Sequence, residues 1–279
     1  MLTCNDIFPG IQRCELNLSL LYPSVSQRQR FEDKWPDFYN SDPDQQNIFS
    51  RSDADTLTYI TESLIPTHVD SRPPLLFLLG NPASHSVASG IPFAYEQDNK
   101  EHRFWRVLRH TGILDLIHDS EVNRAHAINR NRVLKARFFT LQYNSPFRVG
   151  IDVFYSMPSA ASGQQWSGVA GLRRLLGSAA MRKLARLEEV RLAELMHSFI
   201  PVRGCIFTFQ KDAYEGLRAP GDPPYSINLA KTGQLSGRCK FNPGIRLFGC
   251  PPTRLMNGKA YQALLMEFKD SALQYGQAA

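Results

Sequence analysis

From residue 73 onward the apolar positions fall into dense short runs separated by polar, turn-rich stretches. Leu75-Leu76-Phe77-Leu78-Leu79 is a continuous apolar run, the pattern of a strand buried on both faces of a parallel sheet. A Gly-Asn-Pro turn ends it. After a loop over Asn81–Asn99, the stretch Glu101–Thr111 sets Phe104, Val107, Leu108 and Thr111 on one helical face, with Gly112 as the C-terminal stop. The cycle repeats with a strand over Val149–Ser156, a loop over Met157–Gly168 and a helix over Ala179–Phe199, then with Cys205–Phe209 and Asp212–Leu217. Ile245–Phe248 is the fourth strand, stopped by Pro251-Pro252, and Gly258–Leu273 closes as a helix. Alternating strands and helices predict an α/β fold: a three-layer α/β/α sandwich around a central, mostly parallel four-stranded sheet.

The first seventy residues lack this rhythm. Only Asp53–Ile65, with Leu57, Ile60 and Leu64 at helical spacing, reads as a helix. Residues 1–70 are therefore expected to form a partly ordered arm ahead of a domain over 71–279. Charge sharpens the division: 1–70 carries eleven acids against five bases, or −6, so the overall +6 leaves +12 on 71–279. A basic body fits a polyanionic partner, nucleic acid before a membrane surface, and fits plain solubility equally well. No apolar run approaches the roughly 20 residues of a membrane span. Five cysteines without Cys-x-x-Cys spacing or a secretory signal imply a reducing intracellular compartment, nucleus or cytoplasm, and buried thiols rather than disulfides, zinc or iron–sulfur ligands.

In open α/β sheets ligands sit beyond the carboxyl ends of the strands, which puts the loops at 80–99, 157–168 and 250–257 on one rim. The segment from Gly80 to Gly90 is small, polar and turn-rich. It either turns backbone N–H groups towards an anion or a planar heterocycle, or simply connects a strand to a helix.

Three pieces of this region fall in a telling order: Asn81-Pro82-Ala83, then Gly90-Ile91-Pro92-Phe93-Ala94, then His102-Arg103-Phe104-Trp105-Arg106-Val107. Over about 30 residues they resemble the mismatch-specific thymine/uracil-DNA glycosylases of the uracil-DNA glycosylase superfamily. Those proteins open with a strand, a Gly-x-Asn-Pro-Gly element, a Gly-aromatic-Pro-Phe-Ala run and Arg-Phe-Trp on a helix. Tyr155-Ser156-Met157-Pro158-Ser159, Gln210-Lys211-Asp212-Ala213-Tyr214-Glu215 and Pro251-Pro252-Thr253-Arg254-Leu255 are similar to later family elements, in the right order. The sequence departs from the family at Leu79 and Gly80, where the first glycine is shifted by one, at Ala83, and at Pro251-Pro252-Thr253 in place of Asn-Pro-Ser.

The resemblance implies a monomeric DNA glycosylase of base excision repair, acting without metal or cofactor on duplex DNA that carries uracil, mismatched thymine or a related lesion. Cleaving an N-glycosidic bond passes through an oxocarbenium-like sugar while the base departs as an anion, so water must be held beside the anomeric carbon. An amide suits that task because its carbonyl accepts and its NH₂ donates without adding charge. Asn81 is the residue expected in this role, which the resemblance also implies; the competing reading is that it only caps its turn. Phe93 is assigned to stack on the flipped base, against the alternative of a core ring. Ala83, Ser84 and His85 join it as base contacts, and Ser159 as a DNA contact.

Arg254 and Leu255 are the candidates to fill the vacated stack, with Thr253 and the next helix N-terminus on a phosphate; an ordinary Pro-rich loop is the competing reading. An acid-free stretch between Glu121 and Asp152 carries Arg124, Arg130, Arg132, Lys135, Arg137 and Arg148 among Phe138, Phe139 and Tyr143. It tracks a phosphate backbone or is a solvated insertion. The alternative for the whole chain is a catalytically silent nucleic-acid-binding protein on the same scaffold.

Overall fold

A computed structural model describes residues 2–94, 100–116, 126–161, 163–256 and 258–277. The chain first forms strands β1 (Leu2–Phe8) and β2 (Ile11–Asn17), helices α1 (Val25–Tyr39) and α2 (Pro43–Ile48), and strands β3 (Phe49–Arg51), β4 (Thr56–Glu62) and β5 (Pro74–Leu79). Helices α3 (Ser84–Ser89), α4 (Arg103–His110) and α5 (Ala127–Phe139) follow, then β6 (Arg148–Val153), α6 (Gly168–Leu176), α7 (Ser178–Phe199) and β7 (Gly204–Thr208). The last elements are α8 (Lys211–Leu217), α9 (Ile227–Lys231), β8 (Ser236–Arg238), β9 (Ile245–Gly249) and α10 (Lys259–Gln277). They divide into two compact units. One comprises Met1–Ser63, Gly80–Pro92 and Val153–Glu194; the other comprises Leu64–Leu79, Phe93–Asp152 and Leu195–Ala279.

The second unit holds a sheet of parallel strands flanked by helices, in the order β6-β5-β7-β9-β8. β5 pairs with β7 and β7 with β9 in parallel, whereas β8 runs antiparallel to β9 at the edge. Five strands replace the expected four, because Ser236-Gly237-Arg238 is too short and too polar to announce itself as a strand. Leu75 to Leu79 are buried, as a strand covered on both faces requires. Phe207 packs edge-on against Phe77, Phe248 and Phe268, tying three strands' worth of core to α10. Helix α4 keeps the expected face, with Phe104, Val107 and Leu108 buried, and Gly112 at φ +64° lets the chain leave it.

The first unit overturns the expectation of a partly ordered arm. Residues 2–62 build an antiparallel sheet in the order β1-β2-β4-β3, with α1 and α2 between its strands. Asp53–Ile65 is not a helix. Its centre is β4, where Leu57, Tyr59 and Thr61 are buried in alternation, and the run Thr56-Leu57-Thr58-Tyr59-Ile60-Thr61 is rich in β-branched and aromatic residues. Spacing of 57, 60 and 64 fits a helix, but the period of two carries more of the buried surface. Several acids of this segment work internally, as Glu32 bridges Arg28 and Arg51.

One cysteine expectation also fails: Cys4 and Cys14 are disulfide-bonded. They face each other directly in the β1–β2 ladder, with Cα atoms 4.0 Å apart, a cross-strand closeness no spacing rule could expose. Cys205, Cys239 and Cys250 are the buried free thiols that were expected. Among the described residues no helix is long and apolar enough to cross a membrane.

Candidate functional site

In the first unit the chain that leaves β5 runs beside the loop that follows β6. Tyr155 N–H donates to Gly80 O at 2.9 Å, Ser159 N–H to Pro82 O at 3.1 Å, and Ser84 N–H to Ser159 O at 2.8 Å, so Ala83 and Ser159 form a parallel bridge. This short ladder presents Asn81 to Ser159. The Asn81 amide nitrogen donates to Ser159 Oγ at 2.9 Å and lies near Pro82 O at 3.2 Å and Met157 O at 3.4 Å. Two carbonyl acceptors beside one end of the amide fix which end is nitrogen. The other end, Oδ1, accepts no hydrogen bond from any described residue, and Asn81 is only half-buried. Its carbonyl is thus anchored from behind and open in front.

Ser159 is 1% exposed, and its hydroxyl also accepts the N–H of Gly168 at 2.7 Å, at the start of α6. The expected DNA contact by Ser159 is therefore corrected, since a hydroxyl so buried and so engaged holds Asn81 instead. Ser84 is corrected as well. It is fully buried, its N–H is spent on Ser159, and its hydroxyl donates to Asp42 Oδ2 at 2.7 Å, leaving neither group for a base. Ala83 has no such commitment of its N–H. His85 lies half-buried on α3, with Nε2 3.5 Å from Ser86 Oγ and Nδ1 buried without a partner.

Asp42 caps α2 through the Asp44 N–H at 3.0 Å and accepts the Ala161 N–H at 3.2 Å besides the Ser84 hydroxyl. Burial raises its pKa, but the hydrogen bonds from Ser84, Ala161 and Asp44 outweigh burial and hold the carboxyl below its usual 3.8. A depressed acid contributes stability above its unfolded pKa and loses it as pH falls through the folded one. Asp42→Ala should therefore cost about 1–3 kcal/mol at neutral pH by leaving buried donors unpaired. The gap between variant and wild type in urea melts should narrow as pH drops below 3.8; a gap independent of pH would refute the assignment.

Behind the same loop, Glu188 of α7 is fully buried. Its Oε1 accepts the Ser156 N–H and hydroxyl, each at 2.6 Å, and its Oε2 the Arg191 Nε–H at 2.6 Å. Because the Ser156 hydroxyl is donated there, it accepts from the Tyr59 hydroxyl at 2.7 Å. Sequence reading missed Asp42 and Glu188 entirely: one sat in the supposed arm, the other inside an amphipathic helix.

In the second unit Phe93 adopts φ +51°, a conformation that costs a bulky residue about 1–3 kcal/mol. Its carbonyl accepts the Trp105 indole N–H at 3.0 Å. The ring expected to stack on a base is stacked on His102, with centroids 4.5 Å apart and 10° between planes, and touches Phe104 at 4.6 Å. Thr253, Arg254 and Leu255 form a 3₁₀ turn, with Arg254 and Leu255 exposed and the Arg254 carbonyl held by Arg103 at 3.2 Å. The following helix α10 begins at Lys259, one residue from its expected start at Gly258.

Arg132 and Lys135 lie on α5, Arg132 exposed and Lys135 half-exposed, but Arg130 is buried. Arg148 is also buried, donating to Phe199 O at 2.8 Å and stacking on the Phe199 ring, which removes it from any phosphate track. Arg124 lies outside the described residues. A cavity of about 10 Å³ lined by Glu101, Trp105, Arg109, Leu114, Asp115, Leu116 and Leu134 has room for about one water, not a nucleobase. Among the described residues no group of three or more His, Cys, Asp or Glu could hold a metal ion. No protein-family model matches the chain, and no curated protein matches it.

Proposed function

We propose that this chain is a DNA glycosylase that hydrolyses the N-glycosidic bond of uracil, and of mismatched thymine or a related lesion, on a three-layer uracil-DNA glycosylase-like fold. The observation that carries the reading is the Asn81 amide, pinned through nitrogen to Ser159 with its carbonyl oxygen unpaired. That oxygen accepts a hydrogen bond from water and turns the water's lone pair outward, as attack on an anomeric carbon requires. The water oxygen bonds to the sugar carbon, the N-glycosidic bond breaks with its electron pair going to the base, and the water's proton passes to solvent. Asn81 itself takes no proton, so it suits a substrate whose leaving group is already a stabilised anion, as uracil is and an unactivated base is not.

For the second unit taken by itself, the resemblance assigns stacking on a base to Phe93. The coplanar His102 ring supports this, because an imidazole is itself a planar nitrogen heterocycle seated on that phenyl face. The same stack also favours the second reading, a silent nucleic-acid-binding protein, in which His102 keeps the ring permanently covered. Oligonucleotide duplexes carrying one U·G, T·G or hypoxanthine pair, incubated with the protein and treated with alkali, separate the two. Strand scission at U·G is expected. Folded protein that produces no scission at any lesion leaves only the silent binder.

A further inference from the structure

The first unit carries a cluster of cations that the proposed chemistry does not use. Residues 153–187 contain Arg173, Arg174, Arg182, Lys183 and Arg186 and not one acid. Within this stretch Arg174, in the last turn of α6, reaches back to the loop before its own helix, donating to Gln165 O and standing 5.8 Å over the Trp166 ring. Trp166 packs edge-on against Phe38 of α1 at 6.0 Å, which brings α1 alongside. From α1, Lys34 donates to the Arg174 carbonyl at 2.8 Å, and Arg30 stands one helical turn away on the same face. Among the described residues Arg30, Lys34 and Arg174 form no ion pair, although α1 also bears Asp33 and Asp37; Asp33 is hydrogen-bonded to Gln29 instead. The Lys34 ammonium titrates below its usual value, through desolvation and then the positive charges of Arg30 and Arg174. Three like charges close enough to depress the Lys34 ammonium, and without an ion pair among the described residues, form an arrangement that an external anion relieves.

We propose that Arg30, Lys34 and Arg174 form a docking surface for the phosphodiester backbone of duplex DNA. The cations come from two elements, and two of them are braced, Lys34 by the Arg174 carbonyl and Arg174 by Gln165 O and the Trp166 ring, so little freedom of those side chains is lost when phosphates bind. Arg174 is six residues along α6 from Gly168, about 9 Å at the helical rise of about 1.5 Å per residue. Gly168 is the residue whose N–H holds the Ser159 hydroxyl beside Asn81. At about 3.4 Å of duplex axis per nucleotide, that distance corresponds to about three nucleotides. The placement near a lesion rests on the glycosylase reading, whereas the docking of a backbone does not.

The test measures binding of a lesion-free fluorescein-labelled duplex by anisotropy between about 50 and 200 mM salt. For the variant R30Q/K34Q/R174Q, the slope of log affinity against log salt should shrink by about 2–3, about one for each phosphate no longer neutralised. R30Q/K34Q leaves Arg174 on Trp166 and should shrink it by about 2; thermal melts identify any variant that fails to fold. An unchanged slope in the folded double variant overturns the proposal. So does a loss confined to binding of phosphatidylserine vesicles with duplex binding intact. No turnover is measured, so a chain inactive on every lesion can still show the slope change, and an active one can still lack it.

Discussion

Asn81→Ala is expected to lower the single-turnover rate on a U·G duplex by about 10²–10⁴-fold, the range for a group that positions a proton-bearing reactant in the transition state. The methyl side chain offers no acceptor to water, so the loss falls on the chemical step. Affinity for lesion-free duplex should stay within about twofold, since a uniform-binding role would move affinity and leave the rate alone. Two companions sharpen the result. Asn81→Asp keeps an oxygen in front but turns a second one towards Pro82 O and Met157 O, where only a donor is satisfied, so it too should be slow. Ser159→Ala keeps the acceptor and loses only its 2.9 Å anchor, so its rate should fall by about tenfold, the equivalent of about 1.4 kcal/mol of lost positioning. A rate for Asn81→Ala within threefold of wild type, with protein folded, would remove Asn81 from the chemistry.

The parallel sheet was legible because its signal is local. Leu75 to Leu79, Cys205 to Phe209 and Ile245 to Phe248 each read as a buried strand without reference to anything else, and each is one to within a residue at either end. The antiparallel sheet was opaque because its strands are half-exposed and polar: β1 is Leu-Thr-Cys-Asn-Asp-Ile-Phe, and β3 has three residues. Such strands exist by pairing, and pairing partners such as Cys4 and Cys14 are set by register, which composition does not report. The site divides in the same way. Asn81 was visible from its turn and its motif. Its bracket was not, because Ser159 lies 78 residues away and Asp42 reaches Ser84 across 42. Ser84 and Ser159 were expected to touch DNA because serines in loops are usually exposed. Here both are buried, Ser84 with its hydroxyl on Asp42 of the segment whose acidity suggested a loose arm, and Ser159 with its hydroxyl held by Asn81 and Gly168.

The largest effect on stability should come from Glu188. Burial pushes its carboxyl pKa above the usual value, against the pull of Arg191 and the two Ser156 donors. Removing the carboxylate strands more than it frees: Arg191, about 10% exposed at its side chain, loses its ion pair, and the Ser156 N–H and hydroxyl lose their acceptor. Breaking a buried pair from one side costs about 3–5 kcal/mol, so Glu188→Ala should lose that much in urea melts. Glu188→Gln retains an oxygen for Ser156 and fills the same volume, and should cost less, about 1–3 kcal/mol. The sign of the pH dependence separates the charge from the shape. A carboxyl whose folded pKa is raised holds its proton more tightly in the native state, so its contribution to stability declines as pH rises from 4.5 towards the folded value. Glu188→Gln lacks that titration, so the difference between it and wild type should be greatest near pH 4.5 and shrink above it. Ser156 stands three residues before Ser159, so the alanine variant should also loosen the Asn81 anchor and lower the U·G rate at temperatures where it remains folded. A Glu188→Ala protein with unchanged urea midpoint would mean that the carboxylate is not buried in this network, and the bracket around Asn81 would lose its back wall.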